Sequence, residues 1–163
     1  MEENVQTPGQ PGLFEDYEQF TDASQGSRFF NFLIDNLFMN YILSQATGYL
    51  VGYLLGVLAP EYMLSIAYEG ESSSSLLLLS FCIVYFNYIF YYTICEAAFK
   101  GYTLGKLITG TRAIRADGQN LTFRNALLRT LSRIVPFEVF SGLGAPCEPW
   151  HDTWTKTRVI KAR

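Results

Sequence analysis

Few residues in this chain are equipped for chemistry, and the one placed least comfortably is Asp35. It follows Arg28 and Asn31 at the start of an apolar run, SRFFNFLIDNLF, that continues to Ala59. A carboxylate at membrane depth costs about 2.5 to 3.5 kcal/mol on insertion scales, so it faces a partner or a wet cavity, not lipid. Oxygen ligands suit hard cations. Asp35, with Asn31 and with Asn87 of a second apolar block, is therefore suited to hold Na⁺ or H⁺ in alternation while Arg28 and Asp152 gate one side. A structural use of the same residues is equally physical: Asp35 and Asp152 pair with Lys106, Arg129, Arg133 or Arg28 and lock the parts together. Glu96 reads most simply as an i to i+4 partner of Lys100 at the membrane edge. Catalysis, metal binding and a cofactor are not expected. The single histidine, His151, adjoins Asp152, and with Cys147 it makes two ligands, short of a zinc site. Cys82, Cys95 and Cys147 have no spacing of a disulfide frame.

The elements that must position these groups begin with two apolar blocks, each longer than the about 20 residues that a spanning helix needs. Span one is expected over about 29–58 and span two over about 76–99. At the helical period, Arg28, Asn31 and Asp35 share one side of span one, Asn36, Asn40, Ser44 and Thr47 a second, and Gly48, Gly52 and Gly56 a third. A ladder of glycines four apart lets a helix approach closely. It is read either as packing against span two or as a contact between copies of the chain. Of 12 Lys and Arg residues, only Arg28 precedes Lys100, and the loop 60–75 holds none. The positive-inside rule then places both termini in the cytoplasm and that loop outside. Residues 1–25 carry acids and two prolines, Pro8 and Pro11, but no basic residue. They read as a mobile tail. The spacing of Leu13, Phe14, Tyr17 and Phe20 leaves room for a short docking helix instead.

Beyond span two, residues 100–145 are expected to form a cytoplasmic hairpin and an interfacial helix. Asp117-Gly118 between TRAIRA and NLTF is a two-residue hairpin signal. After Thr122 an apolar stripe of Leu127, Leu131, Ile134 and Val135 runs beside Arg124, Arg129 and Arg133. A basic amphipathic helix of this kind lies in the headgroup layer, with those arginines on anionic lipid. The same interleaving, with Trp150 and Trp154 near the end, argues against nucleic acid as the partner. Pro136 stops the helix, and FEVFSGLG reads as a shallow surface segment. Residues 161–163 are a basic end.

Arg28, Asp35 and the Asp152 of a Trp-His-Asp-x-Trp stretch, 150–154, resemble the signature of the RDD family of bacterial membrane proteins. Glu96, Gly101-x-Thr103-Leu104-Gly105-Lys106, Gly110-x-Arg112 and the turn at Gly118 resemble that family's connecting segment, so that the likeness covers 26–160. The resemblance implies an integral membrane protein of the bacterial plasma membrane with a link to transport, including Na⁺/H⁺ exchange. The fold expected is an all-α membrane protein with two transmembrane helices, a short cytoplasmic β-hairpin and an interfacial amphipathic helix. Two helices enclose no pathway, so transport of an ion or small solute requires a homo-oligomer or other membrane subunits. An accessory subunit of a membrane complex is the second expectation.

Overall fold

The computed structural model describes residues 20–69, 74–142, 144 and 147–162. The first long helix opens with α1, Gln25–Phe38, where the Ser24 hydroxyl accepts the Ser27 backbone N–H. That contact satisfies one of the orphan donors of a helix start. A single π turn, Met39–Leu43, joins α1 to α2, Ser44–Leu58, without interrupting the rod. The combined helix has 34 residues, about 50 Å at the α-helical rise. That is longer than a hydrocarbon core of about 30 Å. Its first turns therefore stand among polar elements, and the remainder carries exposed Tyr41, Tyr49, Leu50, Tyr53 and Leu58.

A short helix, α3 (Pro60–Glu69), occupies most of the segment expected as an outward loop. Next comes α4, Ser74–Ala98, the second helix long and apolar enough to cross a bilayer. Its aromatic load is divided. Tyr91 and Tyr92 are buried with Met39 against the first helix, whereas Phe81, Phe86 and Phe90 are exposed. Midway along the pair, Asn87 accepts from the Thr47 hydroxyl at 3.1 Å and donates to that of Ser44 at 3.3 Å. Asn87 therefore ties the two spans together and takes no part in holding Asp35.

The remaining elements form a polar cap at one end of the two long helices. They are α5 (Leu104–Thr109), β1 (Thr111–Arg115), α6 (Phe123–Arg133), α7 (Glu138–Ser141), α8 (Trp150–Thr155) and β2 (Thr157–Lys161). The expected hairpin is corrected here. Asp117-Gly118 does turn the chain, with Gly118 at φ +82°, but β1 pairs antiparallel with β2, Ala113 opposite Val159. The segment NLTF instead sends Leu121 into the small core of Ala23, Ala113 and Val159, and Thr122 caps α6. A local turn signal is outweighed by the strand TRVIK, whose Val159 is buried opposite the buried Ala113 of β1. The end of the segment expected as a tail is structured. Ala23 donates to Val159 and Lys161 donates to Thr21, so 21–23 line the other edge of β2. Leu13, Phe14 and Tyr17, with the rest of 1–19, lie outside the described residues.

Candidate functional site

Asp35 and Asn31 project from the same side of α1, one turn apart, and α5 is laid across them. Asp35 is 1% exposed, and its Oδ1 accepts Tyr91 Oη at 2.8 Å and the Gly105 backbone N–H at 2.7 Å. Its Oδ2 accepts the Thr103 hydroxyl at 2.7 Å. No basic side chain touches it among the described residues. Thr103 also caps α5. The glycine of this TLGK sequence is required by approach, since a Cβ at Gly105 would stand 2.4 Å from the Asn31 carbonyl oxygen. The Asn31 amide donates to Thr111 at 2.9 Å and accepts from Thr109. Asn31 and Asp35 are thus consumed in docking α5 and the entry to β1.

A second knot starts one residue beyond that glycine. Lys106 Nζ reaches Glu96 Oε1 at 2.6 Å, and Glu96 is fully buried. The same oxygen takes Arg133 Nη2 at 2.8 Å, and Oε2 takes Arg129 Nε at 3.0 Å. Arg129, also fully buried, continues through Nη1 to Asp152 Oδ1 at 2.5 Å and to the Thr157 hydroxyl. Asp152 Oδ2 finally meets Arg28 Nη1 at 2.5 Å. Six ionisable side chains from α1, α4, α5, α6 and α8 form one connected path. Opposite charges at these distances, taken out of water, hold each other tightly, and loss of one member strands the rest.

Titration behaviour follows from this wiring. Burial opposes ionisation of Asp152, but the guanidinium of Arg129, with His151 and Arg28, outweighs it and holds the carboxyl well below its usual range. Burial pushes Lys106 down to about 8, with Glu96 pulling the other way. Burial lowers His151 to about 4, so its ring is neutral at pH 7. Its Nδ1 stands 2.5 Å from Glu138 Oε1, a contact that a neutral ring makes by donating its proton. A cavity of about 160 Å³ lies among these groups, lined by Arg28, Asn31, Asp35, Lys106, Arg133 and His151. Among the described residues no three His, Cys, Asp or Glu converge as a metal would require.

The site unites Arg28 with Asp152 and leaves Asp35 in its own pocket of donors. Several expectations are overturned. Glu96 does not pair with Lys100, because the chain turns sharply after α4 and carries Lys100 to the surface while α6 comes in over Glu96. Arg129 and Arg133 do not rest on lipid headgroups. The arginine face of α6 is turned inward, and Leu128, Leu131 and Val135 are exposed in its place. Arg124 alone of the three is exposed. Gly48, Gly52 and Gly56 do not pack on span two, since a Cβ at any of them would have nothing within 4 Å. Tyr91, Thr103, Gly105 and Thr157 are site residues that the sequence reading missed as such. Only Thr103 and Gly105 carried a signal, as a cap followed by a glycine in the first turn of a helix.

A sequence model of the RDD family matches residues 23–148, most of the chain. The match takes in Arg28, Asp35, Glu96, Lys106, Arg129 and Arg133 and stops short of Asp152. No curated protein and no solved structure matches.

Proposed function

The chain belongs to the RDD family, and from that premise we propose that it is a non-catalytic two-span module of the bacterial plasma membrane. Its signature residues clamp a cytoplasmic cap beneath the spans. In the membrane it serves as a homo-oligomer or as an accessory subunit of a larger complex. The observation that carries this reading is the saturation of Asp35 by three donors of its own chain. Donor hydrogens aimed at both carboxylate oxygens leave a poor seat for a cation, which needs several free oxygen ligands. The eleven cations from Lys100 onward support a cytoplasmic cap, with N- and C-termini on that side.

Transport of an ion or small solute is the second reading, favoured by the cavity beside Asp35 and Lys106. A separate set of polar groups lies farther along the first span, with Asn40 on Asn36 and Asn87 on Ser44 and Thr47. Asp35→Asn separates the two. The amide keeps the size of the carboxylate but turns one acceptor into a donor facing Tyr91, Thr103 or Gly105. If Asp35 is a clamp, the variant accumulates poorly or loses its cap in mild detergent, seen as a drop in melting temperature and faster proteolysis after Ala98. If it accumulates and melts like the wild type but abolishes Na⁺- or pH-driven flux in proteoliposomes, the clamp reading fails and transport replaces it.

A further inference from the structure

A groove runs between α1, the last two turns of α4 and α5, on the side of α5 away from the ion-pair knot. Its volume is about 570 Å³, and its walls are Phe38, Tyr91, Cys95, Phe99, Leu104 and Leu107. Lys100 is the one charged residue in its lining. The groove is continuous with the apolar outer surface of the molecule, where Phe90 and Ile94 on α4 and Leu107 and Ile108 on α5 are exposed. In the membrane placement proposed above, on which this inference rests, its walls lie against hydrocarbon and the end of α4 lies at the headgroup layer.

We propose that this groove seats one anionic phospholipid, with an acyl chain along the aromatic and leucine walls and its phosphate on Lys100. The backbone at its mouth fixes where Lys100 stands. Helix α4 closes with the Gly101 N–H on the Glu96 carbonyl at 2.8 Å, and the residue between, Lys100, is left-handed at φ +52°. That position ordinarily falls to glycine, and a lysine there is strained. Phe137 and Lys156 are left-handed too, so what singles Lys100 out is its place as the charged member of the groove's lining. Gly101, by contrast, is demanded by space, since its Cβ would stand 1.9 Å from the Ala113 carbonyl oxygen. A water-soluble phosphate would leave the apolar walls bare, and a lipid with no net charge would gain less from the lysine. An anionic phospholipid satisfies both ends of the groove.

The test exploits the left-handed backbone, because Lys100→Gly removes the charge and relieves the strain together. Lys156, also left-handed at φ +51° but outside the groove, supplies the matched control. Protein in neutral detergent is titrated with phosphatidylglycerol, phosphatidylcholine or glycerol 3-phosphate, and bound lipid is counted by native mass spectrometry beside the melting temperature. The wild type and Lys156→Gly should retain one phosphatidylglycerol per chain and melt higher with it. Lys100→Gly should retain about five-fold less, the loss that one interfacial cation gives, while melting no lower than the wild type without lipid. Leu107→Asp, at an exposed site, should lose the lipid by spoiling the wall. The proposal is overturned if Lys100→Gly holds phosphatidylglycerol as well as the wild type does. It is equally overturned if phosphatidylcholine is retained as well as phosphatidylglycerol, or if glycerol 3-phosphate alone reproduces the shift.

Discussion

Glu96 holds three cations with two oxygens, and that arithmetic makes it the residue whose loss the structure tolerates least. Glu96→Gln leaves Lys106 without its carboxylate and takes one partner each from Arg129 and Arg133. Stranding a buried charge costs about 3 to 5 kcal/mol. Adding Lys106→Met removes the ammonium that Glu96→Gln orphans, so the double variant should melt higher than Glu96→Gln alone. A strictly additive loss in thermal denaturation would mean that Lys106 finds another acceptor. Asp152 allows a test by pH. Its folded-state pKa is depressed, so the stability from Arg28 and Arg129 is complete above the unfolded carboxyl value of about 4 and is lost as pH falls toward the folded value. Asp152→Asn should therefore melt well below the wild type at pH 7, and the gap should narrow between pH 4.5 and pH 3. A gap that stays constant would separate Asp152 from the ion pairs. Arg28 and Asp35 were legible in the sequence because a charge in an apolar setting demands an answer, whereas Asp152, in a polar stretch, was picked out only by the resemblance to the RDD signature. Which group answers was not legible. The contact between Arg28 and Asp152 spans 124 positions, and no local spacing encodes it.

At the scale of elements, both long helices could be read from length and hydropathy alone, while the cap was misread in two instructive ways. Asp117-Gly118 is a true turn, but a strand chooses its partner by the surface it can share, and Ala113 and Val159 bury each other across β1 and β2. For α6 the amphipathic period was right and its orientation inverted. The usual inference puts cations outward, and it fails where Glu96 and Asp152 wait inside. The π turn at Met39–Leu43 left no mark in composition at all. It inserts the equivalent of one extra residue into the first helix, which sets the facing of α2 relative to α1. Deleting Ile42 should restore a plain α-helix and leave the facing of everything beyond it unchanged, because the π turn already absorbs that residue; in a helix without the bulge the same deletion would rotate the far half by about 100°. Asp35 would keep its donors, and Ser44 and Thr47 would stay on Asn87. In a background with Cys82 and Cys95 replaced, cysteines at 47 and 87 should cross-link in the full-length helix and in the deletion alike. Cross-linking that is lost on deletion would show that the π turn does not absorb the extra residue.

At the scale of the whole molecule, the basic charge of the described residues is gathered at one end and the apolar surface is left bare along the spans. The knot from Arg28 to Glu96 fastens the cap to both helices, yet the far half of the first helix touches little of its own chain. Gly48, Gly52 and Gly56 are open there, as are the faces around Tyr49 and Tyr53. A glycine ladder that its own fold leaves unfilled is suited to a second helix at short range, and in a bilayer that helix comes from another copy or another subunit. Gly52→Leu tests this without disturbing the chain itself, because a leucine there meets open space. The variant should accumulate and melt as a single chain much as the wild type does. Extracted gently and weighed by native mass spectrometry, wild type should run as an oligomer and Gly52→Leu should shift toward the single chain, since a leucine holds two helix backbones apart. If the assembly is unmoved, the ladder faces lipid and the partner must lie elsewhere. If the wild type itself is extracted at a fixed ratio with unrelated proteins, the ladder belongs to the contact with them, and Gly52→Leu should release them.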